Sequence, residues 1–167
     1  MKIPLIDLAR QYQTIKYTAD NEIFKVLYSA KYIMGQNVKE FEKEFSQYIG
    51  VKNAITVGNG TDALIIALKA LGIGEKDEVI TSPFTFFSTA EAIAAVGAVP
   101  VFVDVKLDTF NIDPTEIESK ITTKTKAIMP VHIFGQPAEM NEINTIAKKY
   151  NLKVIEDACQ AIGAEYK

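Results

Sequence analysis

Cysteine and histidine occur once each in the 167-residue chain, as Cys159 and His132. A lone thiol cannot close an internal disulfide, and the pair falls short of the ligand set that zinc or an iron–sulfur cluster takes, so no metal site is expected and a reducing, cytoplasmic setting fits. Neither charge is in excess. Eighteen basic against 21 acidic side chains give a formal charge of −3, and the lysines are scattered rather than gathered into a stripe, which argues against nucleic acid as a partner. Long apolar runs are missing as well. Asp7 and Arg10 interrupt the amino-terminal Ile3-Pro4-Leu5-Ile6 run before a signal core is complete, and no later stretch reaches spanning length, so neither export by that route nor membrane insertion is expected. The chain does contain ample core material: 48% of residues are hydrophobic and 23% charged, a balance that predicts one globular domain and excludes intrinsic disorder.

The first third has helical periodicity. Ile23, Val26, Leu27 and Ala30 recur at helical spacing, as do Val38, Phe41, Phe45 and Ile49 after the Gly35-Gln36-Asn37 break, which predicts two peripheral helices within residues 1–50. Over 51–167 short β-rich runs alternate with amphipathic segments, the signature of βαβ units around a mainly parallel sheet. Five strands are expected, near 54–57, 78–81, 99–103, 127–131 and 153–156. Helices are expected over 62–71, ending at Gly72, and over 89–96, ending at Gly97; a short third opens at Pro114, and a fourth covers 139–150. After Glu156-Asp157 only ten residues remain. A final parallel strand needs a following element over its open face, so the chain is expected to be part of a longer protein.

In open α/β sheets ligands sit beyond the carboxyl ends of the strands, which singles out four loops. Gly58-Asn59-Gly60-Thr61-Asp62 runs straight into a helix. Its glycines let a ligand approach the backbone, and free amides at a helix start suit a phosphate; a plain turn capped by Thr61 or Asp62 would look the same. Ser82-Pro83-Phe84-Thr85-Phe86-Phe87-Ser88-Thr89 places three aromatics in one connection. Phe84 and Phe87 are expected in the core, and Phe86 is the candidate to stack on a flat ring. Glu156-Asp157-Ala158-Cys159-Gln160 puts a carboxylate at the end of the apolar Val154-Ile155 run. Asp157 there either caps the following turn or meets a cation such as a protonated ring nitrogen. His132, in the Pro130-Val131-His132-Ile133-Phe134-Gly135 loop, is read as a hydrogen-bonded structural group. Cys159 is read as a small buried residue, since no cationic neighbour in sequence would activate it.

Together these segments resemble the DegT/DnrJ/EryC1/StrS family of sugar aminotransferases, which use pyridoxal 5′-phosphate on the fold of aspartate aminotransferase. The resemblance is carried by Ile3-Pro4-Leu5-Ile6-Asp7-Leu8, Tyr32-Ile33-Met34-Gly35, Gly58-Asn59-Gly60-Thr61-Asp62-Ala63-Leu64 and Pro83-Phe84-Thr85-Phe86. It continues through Pro100-Val101-Phe102-Val103-Asp104-Val105 and Pro130-Val131-His132 to Glu156-Asp157-Ala158-Cys159-Gln160-Ala161. It implies a three-layer αβα fold, here the truncated large domain of a pyridoxal-phosphate-dependent transferase without its small carboxy-terminal domain. By the same resemblance Gly60, Thr61 and Asp62 hold the cofactor phosphate, Phe86 stacks on the pyridine ring, Asp157 pairs with the ring nitrogen and Gln160 contacts the ring hydroxyl.

One departure stands out. The family forms its Schiff base on a lysine in a Ser-Phe-x-Pro-x-Lys-type loop a few tens of residues further on, and no such sequence occurs here. Lys31, Lys76, Lys124 and Lys126 read as solvated charges, Lys153 lies at the amino end of a strand, and Lys167 is the last residue. No catalytic residue is therefore expected within this chain, and the chain alone is expected to be inactive. The implied activity is transfer of an amino group from an amino acid, glutamate being the expected donor, to a keto group on a nucleotide-linked sugar, in a homodimer. Two alternatives remain: a sugar dehydratase of the same family, with histidine in place of the lysine, and a noncatalytic binding or regulatory domain.

Overall fold

A computed structural model describes residues 4–167; Met1, Lys2 and Ile3, the last of them part of the opening motif, lie outside the described residues. The chain divides into two compact units, the first running to Thr56 and the second spanning Val57–Lys167.

In the first unit, α1 (Leu8–Ser29) starts where the Asp7 side chain accepts the Arg10 N–H at 2.9 Å, and α2 (Gln36–Ile49) stops at Gly50. No residue of either helix is buried. Glu42 of α2 takes both the N–H and the hydroxyl of Thr56, at 2.8 and 2.7 Å. Residues 54–57, expected as a strand, enter no ladder. Strand character needs a neighbouring edge to pair with, and the Thr56 amide is already bonded to Glu42.

The second unit holds α3 (Gly60–Ala70), β1 (Glu78–Thr81), α4 (Ser88–Ala95), β2 (Val99–Phe102), α5 (Pro114–Ile117), β3 (Thr125–Met129), α6 (Met140–Tyr150) and β4 (Lys153–Val154). The sheet order is β2-β1-β3-β4, every pair parallel. Successive strand residues face opposite sides, and the core divides accordingly. Val79, Ala127 and Met129 pack with Leu64 and Leu68 of α3 and Ala92 and Ile93 of α4. Ile80 and Ile128 pack with Ile117 of α5 and Met140, Ile143 and Ile146 of α6. The result is helix, sheet, helix: the three-layer αβα arrangement expected of the sequence.

Local chemistry sets the boundaries. Asn59 caps α3 by accepting the Asp62 N–H at 2.9 Å, and Asp113 caps α5 by accepting the Thr115 N–H at 2.9 Å, with Pro114 in the first turn. Past α4, Gly97 has φ +83° and packs against Glu75, where a Cβ would come within 3.3 Å of the Glu75 Cα; the position needs glycine on both counts. β3 begins two residues earlier than expected, at Thr125, and ends two residues earlier, at Met129, because Pro130, with no N–H, cannot continue the ladder as a donor. Pairing resumes beyond it as a single bridge between Val131 and Asp157. Thr81 Oγ1 donates to the Met129 carbonyl at 2.8 Å, tying the ends of β1 and β3 together.

Leu68 is fully buried in the α3 layer, whereas Ile66, two residues earlier, is 50% exposed. Leu68→Ala is expected to lower unfolding free energy by roughly 2–5 kcal/mol. Ile66→Ala should lower it by under about 1 kcal/mol. Urea denaturation of both variants checks the pair; equal losses would contradict this layering.

Candidate functional site

From β1 the chain crosses to β2 on one side and later returns to β3 on the other. Such a reversal parts the loops beyond the strand ends and opens a crevice there. Four segments line it: the start of α3, the loop from β1 to α4, the turn after β3 and the residues after β4. They enclose a cavity of about 350 Å³ bounded by Asn59, Gly60, Thr61, Thr85, Phe86, Ser88, Val131, Ile133, Asp157, Cys159 and Gln160. A larger groove of about 610 Å³ lies on the α5 and α6 layer. It is away from the strand ends, and its Glu118 is already tied to Lys149 and Tyr150, each at 2.7 Å.

Asp157 is the buried charge of the cavity, 6% exposed. Its backbone is pinned to the end of β3: its N–H reaches the Pro130 carbonyl at 2.9 Å and its carbonyl accepts the His132 N–H at 3.1 Å. Oδ2 accepts the Thr89 hydroxyl at 2.8 Å, and Oδ1 receives the Cys159 N–H only at 3.4 Å. Among the described residues no cationic side chain pairs with it. A buried carboxylate held by two donors and no cation retains capacity for a positively charged ligand group.

At the start of α3, Asp62 accepts Asn59 Nδ2 at 3.0 Å while its own N–H goes to Asn59 Oδ1. Asp62 is thus engaged within the loop and does not line the cavity, unlike Gly60 and Thr61. The amides of Gly60 and Thr61 open the helix with no protein partner among the described residues, and the helix dipole adds positive potential there. A Cβ on Gly60 would lie 3.1 Å from Cys159 Sγ, so glycine lets α3 begin this close to the loop after β4.

Gln160 Oε1 accepts the Phe134 N–H at 2.7 Å. Only an oxygen can meet that amide proton, so the Gln160 NH₂ is left as a pure donor toward the cavity. The turn that presents Phe134, at φ +54°, is held by the buried Asn111, whose Oδ1 accepts the Ile133 N–H at 3.2 Å and whose Nδ2 donates to the Gln136 and Pro137 carbonyls at 3.0 and 3.2 Å.

Phe86 stands 73% exposed at the cavity wall. The expectation that Phe84 and Phe87 fill the core is overturned. Phe87 is 75% exposed, and Phe84 stacks with Phe110 and Phe134 at centroid distances of 5.3 and 6.1 Å on the surface. A loop at a strand end lies beyond the helical layers that would cover them. Cys159 is likewise exposed rather than buried. Desolvation at the cavity wall first, and Asp157 second, push its thiol up, which leaves it a poor nucleophile.

His132 lies outside the cavity lining. Its Nδ1 accepts the Ala138 N–H at 3.1 Å, so the ring proton sits on Nε2, which faces Glu156 Oε2 at 2.8 Å. Both nitrogens are used structurally. Sequence reasoning gave Thr85, Ser88 and Thr89 no role of their own; hydroxyls in a strand-to-helix loop carry no signal until the fold shows what they face.

The family described as the DegT/DnrJ/EryC1/StrS aminotransferase family matches residues 13–167. A pleiotropic regulatory protein of Geobacillus stearothermophilus is 51% identical over 99% of this chain and 45% of its own length. UDP-2-acetamido-2-deoxy-3-oxo-D-glucuronate aminotransferase of Pseudomonas aeruginosa is 48% identical over 99% of this chain and 46% of its own. The crystal structure of NtdA from Bacillus subtilis with bound cofactor PMP superposes with a TM-score of 0.93 at 42% identity, covering 97% of this chain and 38% of that one. The chain thus spans under half the length of the curated relatives it matches.

The His132 contact holds the Glu156 carboxyl below its ordinary value of 4.5. A depressed carboxylate stabilises the fold above that value, and the contribution is lost as pH falls through the folded one. Glu156→Gln is therefore expected to be less stable near pH 7, by under about 1 kcal/mol because the group is half-exposed. Urea midpoints of variant and wild type should converge progressively as pH falls below 4.5; a gap that does not narrow would contradict this.

Proposed function

The chain belongs to the DegT/DnrJ/EryC1/StrS aminotransferase family, and from that premise we propose that it holds pyridoxal 5′-phosphate for transfer of an amino group from an amino acid, glutamate by expectation, to a keto group on a nucleotide-linked sugar. The observation that carries the reading is the convergence in one cavity of Asp157, buried without a cationic partner among the described residues, the amides of Gly60 and Thr61 at a helix start, with no protein partner among those residues, and the Gln160 amide fixed as a donor. These match an aromatic ring with a protonated nitrogen, a phosphate and a ring hydroxyl. Phe86 supplies the apolar wall for the ring.

When bound, this cofactor supplies an electron sink for the carbanion formed beside the transferring nitrogen. The chain's own residues bind and orient. Asp157 keeps a proton on the ring nitrogen by charge, Gln160 donates to the ring oxygen, and Gly60 and Thr61 take the phosphate. Asp62 acts at one remove, by closing the loop onto Asn59 so that those two amides stay free. No lysine lines the cavity among the described residues, so the amine that bonds to the cofactor comes, in this proposal, from outside them.

The nucleotide-sugar substrate is supported by the relatives' activities, and a homodimer by the family resemblance and by the open apolar side chains of α1, among them Ile15, Ile23 and Leu27. No described helix is long and apolar enough to cross a membrane; a cytoplasmic location is part of the proposal.

Titration with pyridoxal 5′-phosphate, followed by absorbance, tests it. Asp157→Asn is expected to weaken binding by roughly 10-fold to 100-fold, since it removes a charge-assisted contact. Phe86→Ala should weaken it by roughly 5-fold. Equal affinities for wild type and Asp157→Asn would overturn the reading.

A further inference from the structure

Thr89 is fully buried in the first turn of α4 and lies outside the cavity lining. Its hydroxyl donates to Asp157 Oδ2 at 2.8 Å, and its oxygen also lies 2.8 Å from Thr85 Oγ1. A hydroxyl has one proton to give. With that of Thr89 directed to the carboxylate, Thr85 must be the donor between the two hydroxyls, so the chain of bonds runs one way, from Thr85 to Thr89 to Asp157. Its last acceptor is half of a carboxylate whose other oxygen, Oδ1, accepts among the described residues the long 3.4 Å contact from Cys159 N–H, with the Cys159 thiol beside the carboxylate. One oxygen is anchored, and the other is left to the cavity.

We propose that Thr89, backed by Thr85, is a positioning residue that locks the Asp157 carboxylate in the orientation presenting Oδ1 to a cationic ring nitrogen. The inference rests on the reading of the cavity as a pyridoxal 5′-phosphate site. Three features make Thr89 suited to the task. Its β-branched side chain has few rotamers in a helix. Its helix is fastened to the sheet through the buried Ala92 and Ile93. A donor to a buried carboxylate also favours the ionised form, which is the form that holds a cation. Because Thr89 does not line the cavity, its influence on a ligand passes through Asp157 alone.

The test compares pyridoxal 5′-phosphate with its analogue in which a CH group replaces the ring nitrogen, by equilibrium dialysis against wild type, Thr89→Ser, Thr89→Val and Asp157→Asn. Circular dichroism establishes that each variant is folded. Thr89→Ser keeps the donor and is expected to bind within roughly threefold of wild type. Thr89→Val keeps the shape but loses the donor, and should bind the natural cofactor roughly tenfold more weakly. Its affinity for the analogue, which has no ring nitrogen for Asp157 to meet, should be unchanged.

Equal losses for both ligands would mean a merely structural role and overturn the proposal. Wild-type affinity in Thr89→Val, with Asp157→Asn still weakened, would overturn the role of Thr89 and leave the cofactor reading standing. A wild-type chain that binds neither ligand, or both equally, would overturn that reading and this inference with it. Should Thr89→Val fail to fold, Thr89→Ala decides: it removes the same donor without adding bulk and should cause a roughly tenfold loss confined to the natural cofactor, whereas no loss, or an equal loss for both ligands, would overturn the proposal.

Discussion

Withdrawing a carboxylate from water costs several kcal/mol unless other groups replace its hydration, and the neighbourhood of Asp157 is arranged around that requirement. Its backbone is bridged to the residues after β3, one oxygen takes a hydroxyl from α4, and the residue lines the cavity. Three segments far apart in sequence thereby meet at one side chain. In the proposed function the remaining electrostatic demand is met by a cationic ring nitrogen. The same burial that makes the position expensive would make that contact strong, since charges interact more strongly out of water.

The rest of the site follows from strand order. Because the chain leaves β1 in one direction and returns to β3 on its other side, the loops beyond those strands diverge, and an opening is left that no helix fills. Helix layers on both faces hold the strands rigidly; alternation along β1 and β3 sends Val79 and Ala127 to one layer and Ile80 and Ile128 to the other. Around the opening, buried polar groups hold the loops in place. Asn111 fixes the turn after β3, that turn fixes the Gln160 amide through Phe134, and His132 joins the residues after β3 to Glu156. Each contact meets a backbone or side-chain group that burial would otherwise leave unpaired.

Much of this is legible in the sequence. The β-rich run at 78–81 matches β1 residue for residue, and α3, α4 and α6 come within two residues of their expected bounds. Pro114 at the start of α5 and the glycines past α3 and α4 are local signals that survive into the fold, whereas the cap of α3 is Asn59 and not Thr61 or Asp62. The four-residue run at 54–57 misled because β propensity states only that a segment can pair. Phe84 and Phe87 misled because apolar character states a preference for burial and cannot say whether a covering layer exists at that point of the fold.

The loops holding Gly60, Thr61, Phe86 and Asp157 could be singled out in advance because each lies at the carboxyl end of a strand or the start of a helix, where αβ topology places ligands; Gln160 is named by the family resemblance alone. Asp62 shares that motif, yet its carboxylate and amide turn inward to Asn59. Thr85 and Thr89 carried no signal. Composition and periodicity determined by themselves the class of fold, the order of its elements and the loops in which chemistry would reside, since these depend on interactions within a few residues of chain. Tertiary structure alone decided which side chains in those loops face the cavity, which nitrogen of His132 carries the proton, and which hydroxyl reaches Asp157 across 68 residues of sequence, because each is a contact between segments that only the packed sheet brings together.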